Sequence, residues 1–286
     1  MATAGTFIIM ERIETNIYND NTIEHLHRYA FAASFITGKT VLDIASGEGY
    51  GSHLMAGYAS KVYGMDVAAD IVEKASLKYK KENLQYLHGS ADKINLPDNS
   101  VDVVVSFETI EHHDKHEEMM QEVKRVLMPG GILIISTPDK KYYTDIPGHR
   151  NPWHVKELYR EEFENLIKKY FTNSIFYAQN ITRSSVIMPF EHNNEQAIFC
   201  EGDYSHINMS GSVIPLYNIA VASDAPLHAG GLHIFNGTDI YEKSKAQERE
   251  KHLKQLEAVT KTYSYRIGHL LLSPVRWIIS VIRGRK

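Results

Sequence analysis

The chain has 286 residues, of which 43% are hydrophobic, enough for one large domain with appendages or for two small domains. Its single cysteine, Cys200, excludes an internal disulfide and a cysteine-based zinc cluster, and it favours a cytoplasmic protein. The first residues do not form a secretory signal, and no apolar run reaches the roughly 20 residues of a membrane-spanning helix.

The net charge of −4 hides a basic C-terminal end. Residues 242–286 carry 11 Lys and Arg against 4 Asp and Glu, so the rest of the chain is acidic. An acidic body without a phosphate-binding stripe excludes nucleic acid as the expected partner.

Residues 39–138 alternate short apolar runs with helix-like stretches, which is the pattern of βαβ units and a parallel sheet. The predicted strands are 40–44, 61–65, 84–88, 101–107 and 131–136, and the predicted helices between them are 51–59, 69–80 and 116–127, the last ended by the turn at 129–131. Further helices are predicted at 21–36 and 155–170. Strands at 174–179 and 216–222 would complete a mostly parallel seven-stranded α/β sheet.

The predicted domain organisation has three parts. Residues 1–38 form a helical cover, residues 39–230 form the main domain, and residues 241–286 form a separate tail. Within the main domain, residues 180–213 are polar and irregular. They are too long for an ordinary connection and are therefore predicted to be a lid or insertion.

The most informative segment is a strand that runs into a glycine-rich turn, VLDIASGEGYG at 41–51. Gly47 and Gly49 fit the first two positions of a dinucleotide-binding fingerprint, but the third position falls on Ser52. Asp43 would repel a pyrophosphate and would attract a cationic α-amino group. The turn therefore favours a ligand that carries an ammonium group.

Other candidate ligand-binding residues follow the next strands. Asp66 ends the second strand, where a carboxylate can accept both hydroxyls of a ribose. Asp92 follows the third strand and could accept a hydrogen bond from an adenine amino group. Phe107 begins the run FETIEHH, which is expected to line the cleft. Arg28 is a candidate for binding a ligand carboxylate, and a salt bridge to a neighbouring helix is the equal alternative.

These motifs resemble the class I S-adenosylmethionine-dependent methyltransferases, especially those associated with bacterial surface polysaccharides such as O-antigen and capsule. The resemblance covers nearly the whole chain, and its marks are EHLHRYAFA (24–32), VLDIASGEGYG (41–51), GMDVAADIVEKA (64–75), VVSFETIEHHDKHEEMMQEVKRVLMPGG (104–131), STPDKKYY (136–143), NPWHVKEL (151–158) and YRIGHLLLSPVRW (265–277). It implies a Rossmann-like fold and S-adenosylmethionine as cofactor.

The resemblance also implies where that cofactor binds. Asp43, Gly47 and Gly49 would lie at its methionine end, Asp66 at its ribose, and Ala91 with Asp92 around its adenine. Val67, Phe107 and Arg28 complete the predicted cofactor site together with Ala45, which stands where the D-x-G-x-G motif of the family usually has its first glycine.

Two histidines are the predicted catalytic residues. His112 follows the fourth strand, in the loop that faces the transferred methyl group in this fold, and His154 lies in the segment NPWH. A histidine can take a hydroxyl proton near neutral pH. Helix capping or loop organisation is the alternative for His112, and His25, His27, His113 and His149 are further candidates. The Asp and His pairs show no ligand spacing, so no metal site is predicted.

The resemblance implies an O-methyltransferase acting on a sugar hydroxyl of a surface polysaccharide or its lipid-linked precursor, with Tyr142, Tyr143 and Trp153 available to stack on the sugar. A small metabolite such as a quinone precursor, a non-catalytic cofactor-binding module and, more remotely, a nicotinamide-dependent dehydrogenase are the alternatives.

The tail has two predicted parts. Residues 241–263 have apolar residues near heptad spacing, which predicts a short coiled coil. Residues 270–286 combine apolar residues, Trp277 and four cations, which predicts a helix on the inner face of the cytoplasmic membrane or one docked on its own domain or a dimer partner. The expected partners are a glycan acceptor, a glycosyltransferase complex and that membrane surface, and a homo-oligomer is left open.

Overall fold

The computed structural model describes residues 15–182, 200–202, 207–208, 214–228, 230–263, 267 and 272. The chain divides into two compact units, residues 1–235 and residues 236–286. The predicted organisation into a cover, a main domain and a tail stays a prediction.

Helices and strands alternate through the first unit. Its helices are α1 (Asp20–Ile36), α2 (Tyr50–Met55), α3 (Ala69–Lys78), α4 (His116–Val126) and α5 (Arg160–Tyr170). Its strands are β1 (Thr40–Ile44), β2 (Lys61–Asp66), β3 (Leu84–His88), β4 (Val101–Phe107), β5 (Leu127–Pro138), β6 (Asn173–Gln179), β7 (Glu201–Gly202), β8 (Ile207–Asn208) and β9 (Tyr217–Ser223). A 3-10 turn covers Ile110–His112 and a π-helical turn covers Lys141–Asp145.

Seven of the strands form one sheet in the order β3-β2-β1-β4-β5-β9-β6. β9 pairs antiparallel with both of its neighbours, and the other pairs are parallel. The predicted seven-stranded, mostly parallel sheet is therefore confirmed. The strand order reverses between β1 and β4, and in such a sheet ligands bind beside the carboxyl ends of the strands at that reversal.

Helices cover both faces of the sheet, and side chains alternate between the two faces along each strand. Val41 packs with Tyr29 and Met55 on the face covered by α1 and α2. Leu42 packs with Met119 and Phe163 on the face covered by α4 and α5. Because both faces are buried, the central strands read as almost continuous apolar runs. Asp43 follows this alternation and lies on the α1 face, buried.

The helix predicted at 155–170 begins five residues later than expected, at Arg160. The preceding residues are held by tertiary contacts, since the amides of Val155 and Lys156 donate to the carbonyl of Glu111 at 2.8 and 3.0 Å. The turn predicted at 129–131 does not end a helix, because α4 already ends at Val126 and the turn lies inside β5. Most of the predicted lid at 180–213 lies outside the described residues.

The second unit contains α6 (Thr238–Thr260), a strongly charged helix with ion pairs such as Glu250–Lys254 along its surface. Leu253, Leu256 and Val259 are exposed on it. The coiled coil stays a prediction, and the apolar segment predicted at 270–286 lies almost entirely outside the described residues. Within the described ranges, none of the helices combines the length and the apolar character needed to cross a membrane.

Candidate active site

The turn after β1 lies at the reversal of strand order and has three left-handed residues. Ala45, Gly47 and Gly49 have φ of 57°, 53° and 87°. A Cβ atom at Gly49 would lie 2.6 Å from the hydroxyl oxygen of Tyr86, so only glycine fits there. Ala45 adopts its left-handed conformation without the freedom of glycine, which costs roughly 1–2 kcal/mol.

Asp43 is a buried carboxylate beneath this turn. Its Oδ2 accepts a 2.6 Å hydrogen bond from Ser52 Oγ, whereas Oδ1 has no hydrogen-bond partner among the described residues. Burial raises the pKa of Asp43 to about 7, a rise that the Ser52 hydrogen bond opposes and the neighbouring Asp66 carboxylate increases. A cationic hydrogen-bond donor can bind to Asp43 Oδ1, because the positive charge of such a donor stabilises the ionised carboxylate.

Asp66 fixes the same turn from the end of β2. Its Oδ2 accepts from the amide of Gly47 and its Oδ1 from the amide of Ala68, both at 2.9 Å. Each carboxylate oxygen can accept a second hydrogen bond, so a ribose diol could share these oxygens. Val67 follows directly and is exposed. Asp66 is therefore both a structural support of the turn and a candidate ligand-binding residue.

The predicted adenine-binding residues Ala91 and Asp92 are both half-buried. The Asp92 carboxylate accepts hydrogen bonds from Lys115 Nζ and Ser90 Oγ, and these contacts lower the pKa of Asp92 to about 2. Asp92 is thus an ionised acceptor at neutral pH. The Phe107 ring is buried edge-on against Tyr29, with ring centroids 5.2 Å apart, so this residue meets the cleft mainly through its backbone.

Arg28 is buried, with its guanidinium 4.7 Å above the Tyr217 ring. Its NH1 donates to Gln179 Oε1 at 2.9 Å and lies 3.5 Å from Glu108 Oε1. Nε and NH2 have no hydrogen-bond partner within the described part of the chain. The ion pair is thus with the residue after β4 and not with a neighbouring helix, and the role of Arg28 in binding a ligand carboxylate stays a prediction.

The two predicted catalytic histidines lie side by side, although they are distant in sequence. The Glu111 carbonyl, which accepts from Val155 and Lys156, joins the loop after β4 to the segment around His154. His112 Nδ1 lies 3.1 Å from the Trp153 carbonyl oxygen, and the rings of His112 and His154 meet edge to face at 5.1 Å.

His154 is oriented by partners on several sides. Its Nδ1 lies 2.6 Å from Glu157 Oε1, and the Asn151 amide nitrogen lies 3.1 Å from its Nε2. The Tyr143 ring stacks on the imidazole at 5.3 Å, so Tyr143 faces His154 in this structure. Sequence reasoning missed Glu157, although its position three residues after His154 is a signal that could have found it.

Glu108 is a second residue that sequence reasoning left without a role. It follows β4 with φ of 50°, and its Oε1 accepts from Ser136 Oγ at 2.6 Å. The other candidate histidines lie elsewhere: His25 contacts Tyr50, His27 contacts His233, and His149 is exposed.

Comparison with known proteins identifies the central part of this arrangement. The family model described as a methyltransferase domain matches residues 42–135, from β1 to β5. The matched range contains Asp43, Asp66 and both strand ends at the sheet reversal.

Relatives and solved structures agree with this assignment. A protein of Mycolicibacterium smegmatis named as a probable S-adenosylmethionine-dependent methyltransferase is 36% identical over 49% of this chain and 54% of its own length. A fatty-acid O-methyltransferase of the same organism is 29% identical over 47% and 48%. The matches thus span about half the length of these relatives. A solved SAM-dependent methyltransferase of Thermotoga maritima superposes with a TM-score of 0.52, at 16% identity, over 71% of this chain and 90% of that one.

Residues 42–135 therefore resemble a methyltransferase domain, the sheet has the Rossmann-like class I fold, and the curated relative is named as dependent on S-adenosylmethionine. The residues of the turn are compatible with that cofactor. It carries an ammonium, a carboxylate and a ribose diol, and the site offers the unpartnered Asp43 Oδ1, the unpartnered Arg28 donors and the Asp66 carboxylate.

Strain at the glycine turn gives a direct test of this geometry. We expect Ala45→Gly to raise the free energy of unfolding by about 0.5–1 kcal/mol. Glycine removes the penalty of the left-handed conformation, and the larger conformational entropy of glycine in the unfolded chain cancels only part of that gain. Gly47→Ala is the reverse substitution in the same turn, at φ 53° and with open space around the added Cβ. It should lower the free energy of unfolding by about 1 kcal/mol. Urea denaturation measures both. Shifts of the same sign would contradict the assigned backbone.

Proposed function

We propose that the chain is an S-adenosylmethionine-dependent O-methyltransferase whose acceptor is a sugar hydroxyl of a surface polysaccharide or its lipid-linked precursor. The observation that carries this proposal is the pair of imidazoles, His112 and His154, which meet just after β4, the strand that pairs with β1. Oxygen acceptors must lose a proton during methylation, and neutral imidazole is suited to that task.

In the proposed complex, Asp43 binds the cofactor ammonium, Arg28 its carboxylate and Asp66 its ribose. The main chain of Ala45, Gly47 and Gly49 lies against the methionine portion, Ala91 and Asp92 contact the adenine, and Val67 and Phe107 border the site. The support lies in the unused acceptor of Asp43 and the unused donors of Arg28.

When bound, the cofactor would supply a methyl group activated by its sulfonium, whose sulfur would keep the bond pair once the acceptor oxygen took the methyl carbon. The protein aligns the reacting groups and removes the hydroxyl proton to the imidazole pair. Glu157 holds His154 by its Nδ1, so Nε2 is the atom able to take a proton.

An exposed aromatic side chain and a resemblance support a sugar acceptor, and a relative supports oxygen as the acceptor atom. Trp153, whose carbonyl faces His112, is exposed and offers a ring that can stack on a sugar face. The fatty-acid relative is named as an O-methyltransferase, which supports oxygen as the acceptor atom. The segments NPWHVKEL and YRIGHLLLSPVRW resemble enzymes of surface-glycan assembly. A small-metabolite acceptor would leave both NPWHVKEL and the basic tail without an obvious use.

The acceptor can be identified by mass spectrometry of surface glycan from cells with and without the gene. We expect the glycan to lose one methyl increment per modified sugar in the deletion strain. Wild type and His149→Ala should restore the increment, and His154→Ala should not. His149 is the control because it is exposed and lies near His154 in sequence without contacting this site. An unchanged glycan together with an altered small metabolite would contradict the sugar assignment.

The proposed role of Asp43 predicts a pH-dependent affinity. Its folded pKa of about 7 must fall when an ammonium binds, so affinity is present above that pKa and is lost as the pH falls through it. We expect the affinity for S-adenosylhomocysteine to weaken about tenfold from pH 7.5 to 5.5. Calorimetric titration measures it.

Asp43→Asn should weaken binding at pH 7.5 and remove this pH dependence. The control Asp70→Asn changes an exposed acid on α3 that pairs with Lys74, and it should keep the wild-type profile. A pH profile that survives in Asp43→Asn would show that another group binds the ammonium.

We further propose that the basic tail brings the enzyme to an anionic membrane surface, which also supports contact with membrane-bound glycosyltransferases. The support is compositional: apolar residues, Trp277 and the cations Arg276, Arg283, Arg285 and Lys286 lie together. We expect the full chain to sediment with vesicles containing anionic lipid and to lose this binding on Arg276→Gln/Arg283→Gln/Arg285→Gln. The control Lys243→Gln/Lys245→Gln lies on α6 and should sediment normally. Equal sedimentation with neutral vesicles would contradict the electrostatic contribution.

A further inference from the structure

We propose that Glu111, His112 and His154 form a binding site for a divalent transition-metal ion. One ligand atom from each residue lies within 4.8 Å of the other two. Two ligand atoms on the same ion at about 2.1 Å are at most about 4.2 Å apart, so side-chain shifts of about 1 Å would close the site. The sequence predicted no metal site because these residues share no local spacing. The Glu111 carbonyl contacts bring them together.

The strongest independent sign of a missing ligand is Glu111. Its side chain is buried, and Oε2 accepts a 3.2 Å hydrogen bond from Thr137 Oγ1. Oε1 is also buried but has no hydrogen-bond partner in the described ranges, and it lies 4.0 Å from His112 Nε2. A buried acceptor without a partner is costly, and a cation between Glu111 and His112 would satisfy it.

The hydrogen bonds of the two histidines leave Nε2 as the metal-binding atom of each. His112 Nδ1 faces the Trp153 carbonyl, which can only accept, so this nitrogen carries the proton. His154 Nδ1 faces Glu157. The Asn151 Oδ1 accepts from the Trp153 amide, so the Asn151 nitrogen donates to His154 Nε2, which therefore bears the lone pair.

The hydrogen bonds at Nδ1 of the two histidines are those that metal-binding histidines usually form. A ligand imidazole usually donates its other N–H to a carbonyl or carboxylate, as His112 and His154 do here. A bound ion would replace the Asn151 N–H at His154 Nε2. The stacking of Tyr143 on His154 would keep the ring in plane for that exchange.

The donor set selects the class of ion. Two imidazole nitrogens and one carboxylate suit Zn²⁺, Co²⁺ or Mn²⁺, whereas Mg²⁺ and Ca²⁺ prefer oxygen ligands alone. Three protein ligands leave coordination positions for a water or the acceptor hydroxyl, whose proton would then leave more easily. This last use rests on the proposed function; binding of the ion does not.

The test is a Co²⁺ titration of the chelator-treated full-length protein, followed by visible absorbance and calorimetry. We expect one high-affinity equivalent, displaced by Zn²⁺ but not by the same concentration of Mg²⁺. Glu111→Gln and His112→Ala should abolish that equivalent. Glu157→Gln, which changes only the outer hydrogen bond, should weaken it about 10–100-fold.

The control variant is His149→Ala, which removes an exposed histidine outside the cluster and should bind Co²⁺ like the wild type. Binding of S-adenosylhomocysteine reports whether each variant is folded, since the cofactor turn is formed by other residues. A Co²⁺ equivalent that persists in Glu111→Gln and His112→Ala would overturn the assignment. So would its absence from the wild type.

Activity separates this inference from the proposed function. Methyl transfer that chelators abolish and Co²⁺, Zn²⁺ or Mn²⁺ restore supports an ion that acts on the acceptor. Methyl transfer that proceeds at full rate after chelation, with no Co²⁺ bound, overturns the metal site and leaves the imidazoles as direct proton acceptors. If Co²⁺ binds but no methyl transfer occurs, the proposed function is contradicted and the metal site is not.

Discussion

The main-chain carbonyl of Glu111 holds the acceptor side of the site together. It accepts from two successive amides, those of Val155 and Lys156, and so fixes a segment that would otherwise extend α5. The same two loops also meet where the Trp153 carbonyl faces His112 Nδ1. The two amide hydrogen bonds to the Glu111 carbonyl use backbone groups only, whereas the contact with the Trp153 carbonyl uses the His112 imidazole. Together they explain how two histidines that are distant in sequence come to lie side by side.

Local strain lies at both sides of the sheet reversal. Ala45 follows β1 and Glu108 follows β4, and each is a non-glycine residue with a left-handed backbone. Such conformations cost free energy and persist only where the surroundings enforce them. Asp66 enforces the first turn through the Gly47 amide, while Arg28 and Ser136 hold the Glu108 carboxylate. The strain thus falls at the two loops that are proposed to border the cofactor and the acceptor.

The sheet could be predicted because its determinants are local. Strands buried on both faces appear as apolar runs such as VDVVVSF, and β1, β3 and β4 have the predicted bounds. The start of α5 could not be predicted, because the residues before Arg160 form contacts with Glu111 that no periodicity in the sequence reveals. The cluster of Glu111, His112 and His154 could not be predicted for the same reason. Asp43 was recognisable from its position before the glycines, but its unpartnered Oδ1 depends on packing by Ser52 and α1.

The distribution of charge divides the site into a binding half and a catalytic half. The ammonium that Asp43 is proposed to bind carries the same charge in the cofactor and in its demethylated product, so this contact stabilises ground state and transition state about equally. It contributes to affinity, not to the rate of the chemical step. The acceptor oxygen, in contrast, gains negative charge only as it loses its proton, and only groups that face it then act selectively. In the proposed function, the imidazoles of His112 and His154 beside the buried Glu111 carboxylate form that half. Their effect on rate would then depend on which positive charge, a proton or a metal ion, lies among these three side chains.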